Sequence, residues 1–172
     1  MKRMQNKIHV NWGEHRVKLT WLSKKVVDNQ KVTSVHGYCF YQGNLLLVNV
    51  EGRGFNIPGG HVEKGESPER TFHREAYEEA YVEGDIQYLG AIEVSHEDNS
   101  LFVEGGKYPR IGFQLFYRMD IQKCHPFLRE YETTTRIWVE PEEVQHVMND
   151  HELSILILKD AMKLGFNEQW EK

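Results

Sequence analysis

The sequence predicts a mixed β-sheet covered by helices, an arrangement of the α/β (α+β) class. Two observations predict it. Strand-like segments come in bunches instead of alternating with helices, and helical segments are confined to one in mid-chain and others at the end. Strict alternation of strands and helices would instead predict a doubly wound parallel sheet.

Three strand-like segments lie in the first third of the chain. Residues 17–21 alternate between apolar and polar side chains, which predicts a strand. Residues 32–41 and 45–50 are rich in β-branched, aromatic and aliphatic side chains and are joined by Gln42-Gly43-Asn44. Such a pair around a glycine-containing turn predicts a β-hairpin.

The mid-chain helix has a clear beginning. Ser67 suits the N-cap, Pro68 the first helical position and Glu69 the first turn, where a negative charge is favoured. Three side chains spaced by four predict a narrow buried stripe that permits close packing: Phe72, Ala76 and Ala80.

The second half of the chain predicts further strands at 86–94, 111–121 and 136–139. Pro141 begins a brief helix, and a last helix over about 152–164 is expected to end near Gly165. Between two of the strands lies a long polar segment, residues 95–110. Loops of that length inside a domain are often functional or else mobile, and both interpretations stay open.

Composition excludes several classes of protein. A chain of 172 residues with 40% hydrophobic residues can build one cored domain. A net charge of −5 without a basic block argues against nucleic acid as a partner. No apolar segment is long enough for a membrane span or a signal peptide, so we expect a cytoplasmic protein with no membrane partner. Two widely separated cysteines indicate neither a disulfide scaffold nor a zinc site.

Three carboxylates stand together on the mid-chain helix. Glu75, Glu78 and Glu79 have spacings i, i+3 and i+4, which place them on one helix face, expected to be exposed. Like charges at these spacings repel. Oxygen ligands clustered without Cys or His suit Mg²⁺ or Mn²⁺, and the alternative is a merely solvated acidic face.

The segment from Gly60 to Val82 resembles the Nudix box. In that signature a Gly is followed after five residues by Glu, after seven more by Arg-Glu, and two residues later by Glu-Glu. Six demanding positions match, and a chance match in a chain this long is on the order of one in 10⁵. They are Gly60, Glu66, Arg74, Glu75, Glu78 and Glu79. The lead-in Ile57-Pro58-Gly59-Gly60 is also what usually precedes the box.

This resemblance implies a Nudix-type α/β/α sandwich around a mixed β-sheet, formed by residues 32–172. Residues 1–31 would then be an N-terminal extension packed on the core. Nudix proteins typically hydrolyse a nucleoside diphosphate linked to another moiety, so the resemblance implies a metal-dependent hydrolase and a small nucleotide as its partner. A homodimer is plausible with the extra N-terminal segment.

The resemblance also implies roles for residues of the box. Glu78 and Glu79 would be metal ligands, Glu75 a third ligand or the general base, and the Gly60 carbonyl a backbone ligand, with Mg²⁺ as cofactor and Mn²⁺ as a substitute. Gly59, Gly60, Glu66 and Arg74 would be structural, with Arg74 pairing with Glu66 or another box carboxylate.

Residues outside the box would complete the site. Many Nudix proteins use a further Glu from a loop as base or ligand, and Glu132 is the best candidate, with Glu130, Glu97 and Glu104 as alternatives. We expect Arg53 and Phe55 to contact the substrate. Three other aromatic side chains could stack on a base or lie in the core or at its rim: Trp12, Tyr108 and Phe113.

Two positions depart from the signature. Ala76 occupies a bulky apolar position, which is a mild change. Tyr81 replaces the Gly that normally helps to end the helix. A Tyr in the left-handed conformation costs about 1–2 kcal/mol, so we expect the helix to continue and end near Glu83-Gly84.

The box does not identify the substrate. The leading hypothesis is hydrolysis of a nucleoside triphosphate or related compound in the MutT manner, including removal of oxidised nucleotides. A second is a pyrophosphatase for ADP-ribose or a nucleotide sugar. A third, from another class, is a nucleotide-sensing module without hydrolysis. Specificity would come chiefly from residues 1–31 and 95–110.

Overall fold

Nine strands form one mixed sheet in the computed structural model, which describes residues 5–148 and 150–171, with side-chain surroundings to Leu164. In chain order they are β1 (Lys7–Trp12), β2 (His15–Ser23), β3 (Val32–Tyr41), β4 (Asn44–Val50), β5 (Gly54–Asn56), β6 (Gly59–His61), β7 (Val82–Ser95), β8 (Ile111–Cys124) and β9 (Thr133–Val139). The sheet order is β1-β2-β7-β8-β3-β4-β5, with β6 beside β3 and β9 beside β4. Only β3 and β8 pair in parallel.

Helices cover both faces of this sheet. They are α1 (Pro68–Ala80), α2 (Val144–Val147) and α3 (Leu153–Glu171), with short 3₁₀ turns at Asn29–Lys31 and Pro141–Glu143. The predicted stripe of α1 is fully buried in one apolar cluster, and Leu153, Ile157 and Ala161 of α3 are fully buried in a second cluster. The expected α/β/α sandwich around a mixed sheet is therefore confirmed.

The hairpin of β3 and β4 opens a gap that positions the glycine-rich segment. Gln42 and Gly43 have φ values of 51° and 81° at the turn, as a two-residue hairpin loop requires. The two strands pair only next to that turn, at Phe40–Leu45 and Tyr41–Asn44. Farther along, β6 pairs with β3 and β9 pairs with β4. The glycines of β6 therefore lie between β3 and α1.

The N-terminal hairpin extends the same sheet. Strand β2 pairs with β7 over six positions, and β1 pairs with β2. Val17 and Leu19 of β2 are fully buried, and the indole Nε1 of Trp21 donates to Asp160 of α3 at 3.0 Å. The predicted strand at 17–21 is thus the inner part of a hairpin that packs on the second apolar cluster.

The expected continuation of α1 beyond Tyr81 is wrong. The helix ends at Ala80, and Tyr81 adopts the left-handed conformation with φ 58° and ψ 41°. Its side chain is 2% exposed, its ring packs against Phe127 at 5.3 Å, and its hydroxyl accepts from the Glu130 N–H at 2.8 Å. These tertiary contacts offset a backbone cost of about 1–2 kcal/mol. Strand β7 therefore begins at Val82.

The last helix also differs from expectation. It was expected to end near Gly165, but α3 continues to Glu171. Glycine inside a helix costs about 1 kcal/mol relative to alanine, which lowers helix stability without terminating the helix. None of the described helices is long and apolar enough to cross a membrane.

Candidate active site

Helix α1 begins where its sequence predicts and presents its carboxylates to the glycine-rich segment. The Ser67 hydroxyl accepts from the Arg70 N–H at 3.2 Å, and Pro68 occupies the first turn. Because the stripe of Phe72, Ala76 and Ala80 faces the sheet, the face that carries the box glutamates borders strand β6.

Arg74 is the centre of this face. Its guanidinium donates to both carboxylate oxygens of Glu66, at 2.8 and 3.0 Å, so the structure contains the predicted Arg74–Glu66 pair. It also donates to Glu75 at 2.9 Å and Glu78 at 3.3 Å, and weakly to the His61 carbonyl at 3.4 Å. These hydrogen bonds lower the pKa of Glu66 to about 2. We call Glu66, Glu75, Glu78 and Glu79, together with Arg74, the carboxylate cluster.

Glu79 is buried, whereas the sequence analysis expects an exposed helix face. Its side chain is 9% exposed, and its Oε1 accepts from the Gly59 N–H at 2.7 Å. Burial raises the pKa of Glu79 to about 7, and the nearby charges of Glu75 and Glu132 act in the same direction. Burial also raises the pKa of Glu75. Carboxyl groups with raised pKa values in one place are typical of functional sites.

Gly59 and Gly60 are required by close contacts. A Cβ on Gly60 would lie 2.5 Å from Oε1 of Glu75, and one on Gly59 would lie 2.4 Å from the Val35 carbonyl oxygen. A side chain at position 59 would force the segment away from β3, and one at position 60 would displace the Glu75 carboxylate. The glycines therefore let the backbone approach the carboxylate cluster directly.

Glu132 lies within electrostatic reach of the cluster. Its charge raises the pKa of both Glu75 and Glu79. The next residue, Thr133, donates its hydroxyl to the Glu79 carbonyl at 2.6 Å, which fixes this segment against the end of α1. The alternatives differ in their contacts: Glu104 pairs with Arg110 at 2.6 Å, and Glu97 and Glu130 are engaged through backbone N–H groups.

The two expected substrate contacts lie in different surroundings. Arg53 is exposed in the turn between β4 and β5, and its charge lowers the pKa of Glu79, so it lies near the cluster. Phe55 is half-buried and packs against the apolar cluster that α3 covers. The structure thus brings Arg53 toward the predicted site and uses Phe55 at the rim of the core.

The donor set of the cluster has the chemistry of a site for a hard divalent cation. In the arrangement found, Arg74 and Gly59 hold the carboxylates, and no three His, Cys, Asp or Glu side chains of the described residues are grouped to hold a metal ion. Yet carboxylate oxygens beside a backbone segment without side chains are the ligands that Mg²⁺ takes in proteins. The residues present therefore fit such an ion.

Sequence reasoning missed two contacts of this site. The His61 carbonyl accepts from Arg74, and the Gly59 N–H holds Glu79. Both use backbone atoms, which no residue type signals. The lead-in Ile57-Pro58-Gly59-Gly60 and the expected Gly60 carbonyl ligand indicate that this backbone lies close to α1, but not which of its atoms bond to Arg74 and Glu79.

Comparison with known proteins places these observations in a family. The family model described as NUDIX domain matches residues 31–159. No curated protein sequence matches the chain.

Solved structures share the fold. The Bacillus subtilis pyrophosphohydrolase BsRppH has 22% identity and a TM-score of 0.68, with 96% of this chain and 98% of that chain covered. A NUDIX hydrolase from Nitrosomonas europaea has 20% identity and a TM-score of 0.60, with 77% and 90% covered. A Caenorhabditis elegans Ap4A hydrolase has 18% identity and a TM-score of 0.53, with 78% and 98% covered. Because the family model matches most of its length, the chain belongs to the NUDIX domain family.

Proposed function

We propose that the protein, a hydrolase of pyrophosphate bonds, cleaves a nucleoside triphosphate or a related nucleoside diphosphate derivative and depends on Mg²⁺, with Mn²⁺ as a substitute. The observation that carries the proposal is the carboxylate cluster. On one face of α1, Glu75 and Glu78 accept from Arg74, and Glu79 accepts from the Gly59 N–H.

Each part of the cluster has a task in this proposal. Glu75, Glu78, Glu79 and the Gly60 carbonyl would hold the cation. A divalent ion bound there neutralises phosphate charge and lowers the pKa of the attacking water. Arg74 keeps Glu75 and Glu78 in place through its hydrogen bonds and pins Glu66 to the same face.

Glu132 supplies the proton acceptor. It is exposed and close enough to raise the pKa of two cluster carboxylates, Glu75 and Glu79. A carboxylate at this place can take the proton of the attacking water as the phosphorus–oxygen bond forms. Arg53, also near Glu79, suits a contact with the phosphate groups.

The names of the structural relatives are consistent with this reaction class. A pyrophosphohydrolase and an Ap4A hydrolase are among the solved structures with this fold. Both names describe cleavage of phosphoanhydride compounds, and the proposal takes only that common chemistry from them.

Product analysis tests the proposal. The protein is incubated with nucleoside triphosphates, oxidised deoxynucleotides, ADP-ribose, nucleotide sugars and dinucleoside polyphosphates, with Mg²⁺ or with EDTA, in ¹⁸O-labelled water. We expect a nucleoside monophosphate and pyrophosphate from a triphosphate, with turnover abolished by EDTA. The label shows which phosphorus water attacks. Release of two monophosphates from ADP-ribose alone would favour the ADP-ribose pyrophosphatase, and tight binding without turnover of any compound would favour a nucleotide-sensing module.

A further inference from the structure

A cleft leads from the glycine-rich segment to the N-terminal hairpin. One cavity of about 250 Å³ is lined by His61, which follows Gly60, and by Ser34 and Gln114 of the sheet. A second cavity of about 500 Å³ lies between the hairpin and the 96–110 loop. The two cavities adjoin at three lining residues that they share, Trp12, His96 and Tyr108. We call the two cavities together the base cleft.

The walls of the base cleft are aromatic and apolar. Trp12 and Tyr108 are each 41% exposed, although large aromatic side chains usually bury more of their surface. Phe102 lines the larger cavity and packs against the His96 ring at 5.2 Å between centroids. Lys107 is the one Lys or Arg lining that cavity in the described part of the chain, and its ammonium lies 5.3 Å from the Tyr108 ring centroid. Such walls suit a flat, uncharged ring that stacks, and not a second phosphate group.

A buried asparagine sets the hydrogen-bonding character of the cleft. Asn99 is 6% exposed, and its Oδ1 accepts from the Leu101 N–H at 3.1 Å, which fixes the orientation of the amide. Its Nδ2 therefore donates, to Nδ1 of His15 at 3.0 Å and to Nδ1 of His96 at 3.1 Å. An imidazole nitrogen that accepts a hydrogen bond carries no proton.

Because Nδ1 accepts in each ring, the ring proton lies on Nε2. Burial lowers the pKa of His96, which favours its neutral form. Both rings line the larger cavity, and within the described residues no hydrogen-bond partner of either Nε2 is found. Two rings that line the larger cavity thus each carry an Nε2–H donor for which no partner is found among the described residues, and one amide bonds to both rings.

We propose that the base cleft binds the nucleobase of the substrate and prefers a guanine-type purine. Guanine presents two neighbouring acceptors, O6 and N7, on one edge, whereas adenine presents an acceptor and a donor there. The two histidine N–H groups are donors of the kind that the guanine edge accepts, and the aromatic walls suit its faces. His61 lines the cleft and follows Gly60, so the cleft begins beside the carboxylate cluster where the phosphates would lie. The inference rests on the proposed function for its nucleotide substrate.

Calorimetric titration with the four nucleoside monophosphates GMP, AMP, CMP and UMP tests it. The whole protein is used in EDTA, so neither metal nor turnover enters the measurement. We expect GMP to bind about tenfold more tightly than AMP, since two matched hydrogen bonds give discrimination of that order. Equal affinities for the four nucleotides, or no binding of any, would overturn the proposal.

Three variants test which residues of the base cleft cause the preference for GMP over AMP. His15→Phe keeps a ring at an exposed position and removes one donor, and Asn99→Leu frees both histidines from their fixed tautomer. Each should reduce the GMP-over-AMP ratio to within about threefold, and an unchanged ratio in His15→Phe overturns the proposal even if Asn99→Leu fails to fold. Trp12→Ala should lower the affinity for all four nucleotides by a similar factor of about ten, because a stacking surface is lost. Tyr41→Ala, an exposed aromatic at the opposite hairpin, is the matched control and should bind as the wild type does.

The binding experiment separates this inference from the proposed function. If the protein prefers GMP in binding but hydrolyses no nucleotide, the base-cleft proposal is supported and the proposed hydrolysis is contradicted. If all nucleotides are hydrolysed at equal kcat/KM and GMP is not preferred in binding, the proposed hydrolysis is supported and the base-cleft proposal is contradicted.

Discussion

The carboxylate cluster and the base cleft meet at His61, yet the chain builds them in opposite ways. The cluster comes from one continuous segment: residues 60–83 hold seven Glu and three Lys or Arg, which is −4 of the net charge of −5. The cleft comes from distant segments, with Asn99 bonded to His15 across 84 residues. The first is charged and held by ion pairs, whereas the second has mainly aromatic and apolar walls, and one buried amide bonds to two of its rings.

A single sequence reveals the cluster far more readily than the cleft. Chemistry that needs several like groups at fixed spacing on one helix leaves a local pattern. Recognition of a particular ring needs only a few side chains at suitable positions, and these can come from any loop. We therefore expect variants in the cluster to change the rate for every substrate and variants in the cleft to change the choice of substrate.

The largest expected effect is that of Glu79→Gln. Glutamine keeps the volume and the oxygen that accepts from Gly59, but it removes the charge that would hold the cation. Turnover should fall at least about 10²-fold, with a melting temperature no lower than that of the wild type, because a buried carboxylate among like charges becomes neutral. Glu83→Gln is the matched control, since Glu83 is exposed and pairs with His125. Unchanged turnover in Glu79→Gln would remove this residue from the site.

Glu132→Gln tests the residue that lies outside the box. If Glu132 accepts the proton of the attacking water, kcat should fall by about 10²-fold and KM should change little. Steady-state kinetics with the best substrate of the panel give both constants. If Glu130→Gln shows the larger loss instead, the assignment to Glu132 is wrong.

Arg74→Ala should weaken both stability and rate. It leaves Glu75 and Glu78 without their hydrogen-bond donor, at a cost of about 1–3 kcal/mol. The melting temperature should fall by roughly 2–10 °C for a protein of this size. Thermal unfolding and kcat are measured on the same preparation. A loss of rate with an unchanged melting temperature would contradict the structural role.

We expect the smallest effect from Glu66→Gln, on how thermal stability changes at acid pH. The hydrogen bonds from Arg74 lower the pKa of Glu66 from 4.5 to about 2 in the folded protein. A lowered folded pKa means that the stabilisation is present above pH 4.5 and is lost as the pH falls toward 2. The difference in melting temperature between wild type and Glu66→Gln should therefore shrink between pH 5 and pH 3. A constant difference over that range would show that the Glu66 charge contributes nothing.

Much of the fold and of the cluster followed from local rules. Ser67-Pro68 began α1, the Phe72, Ala76 and Ala80 stripe faced the core, and the Gln42-Gly43 turn closed the hairpin. These features depend on neighbours in sequence. The Arg74–Glu66 contact followed from the box resemblance and spans only eight residues.

What could not be predicted depended on distant parts of the chain. Tyr81 adopts the left-handed conformation because Phe127 and the Glu130 backbone surround it, and Glu79 is buried because the Gly59 N–H reaches back to it. Trp12 was only one of several aromatic candidates for stacking. Its neighbours in the cleft are known only once β2, β7 and the 96–110 loop are in place.

The most direct test of the separation between cluster and cleft is the ratio of kcat/KM for GTP to that for CTP. It is measured for wild type, Glu79→Gln and His15→Phe with Mg²⁺. We predict that Glu79→Gln lowers both values by the same factor and leaves the ratio unchanged, and that His15→Phe lowers the ratio at least about fivefold. A ratio that changes in Glu79→Gln and stays constant in His15→Phe would contradict the separation of catalysis in the cluster from base selection in the cleft.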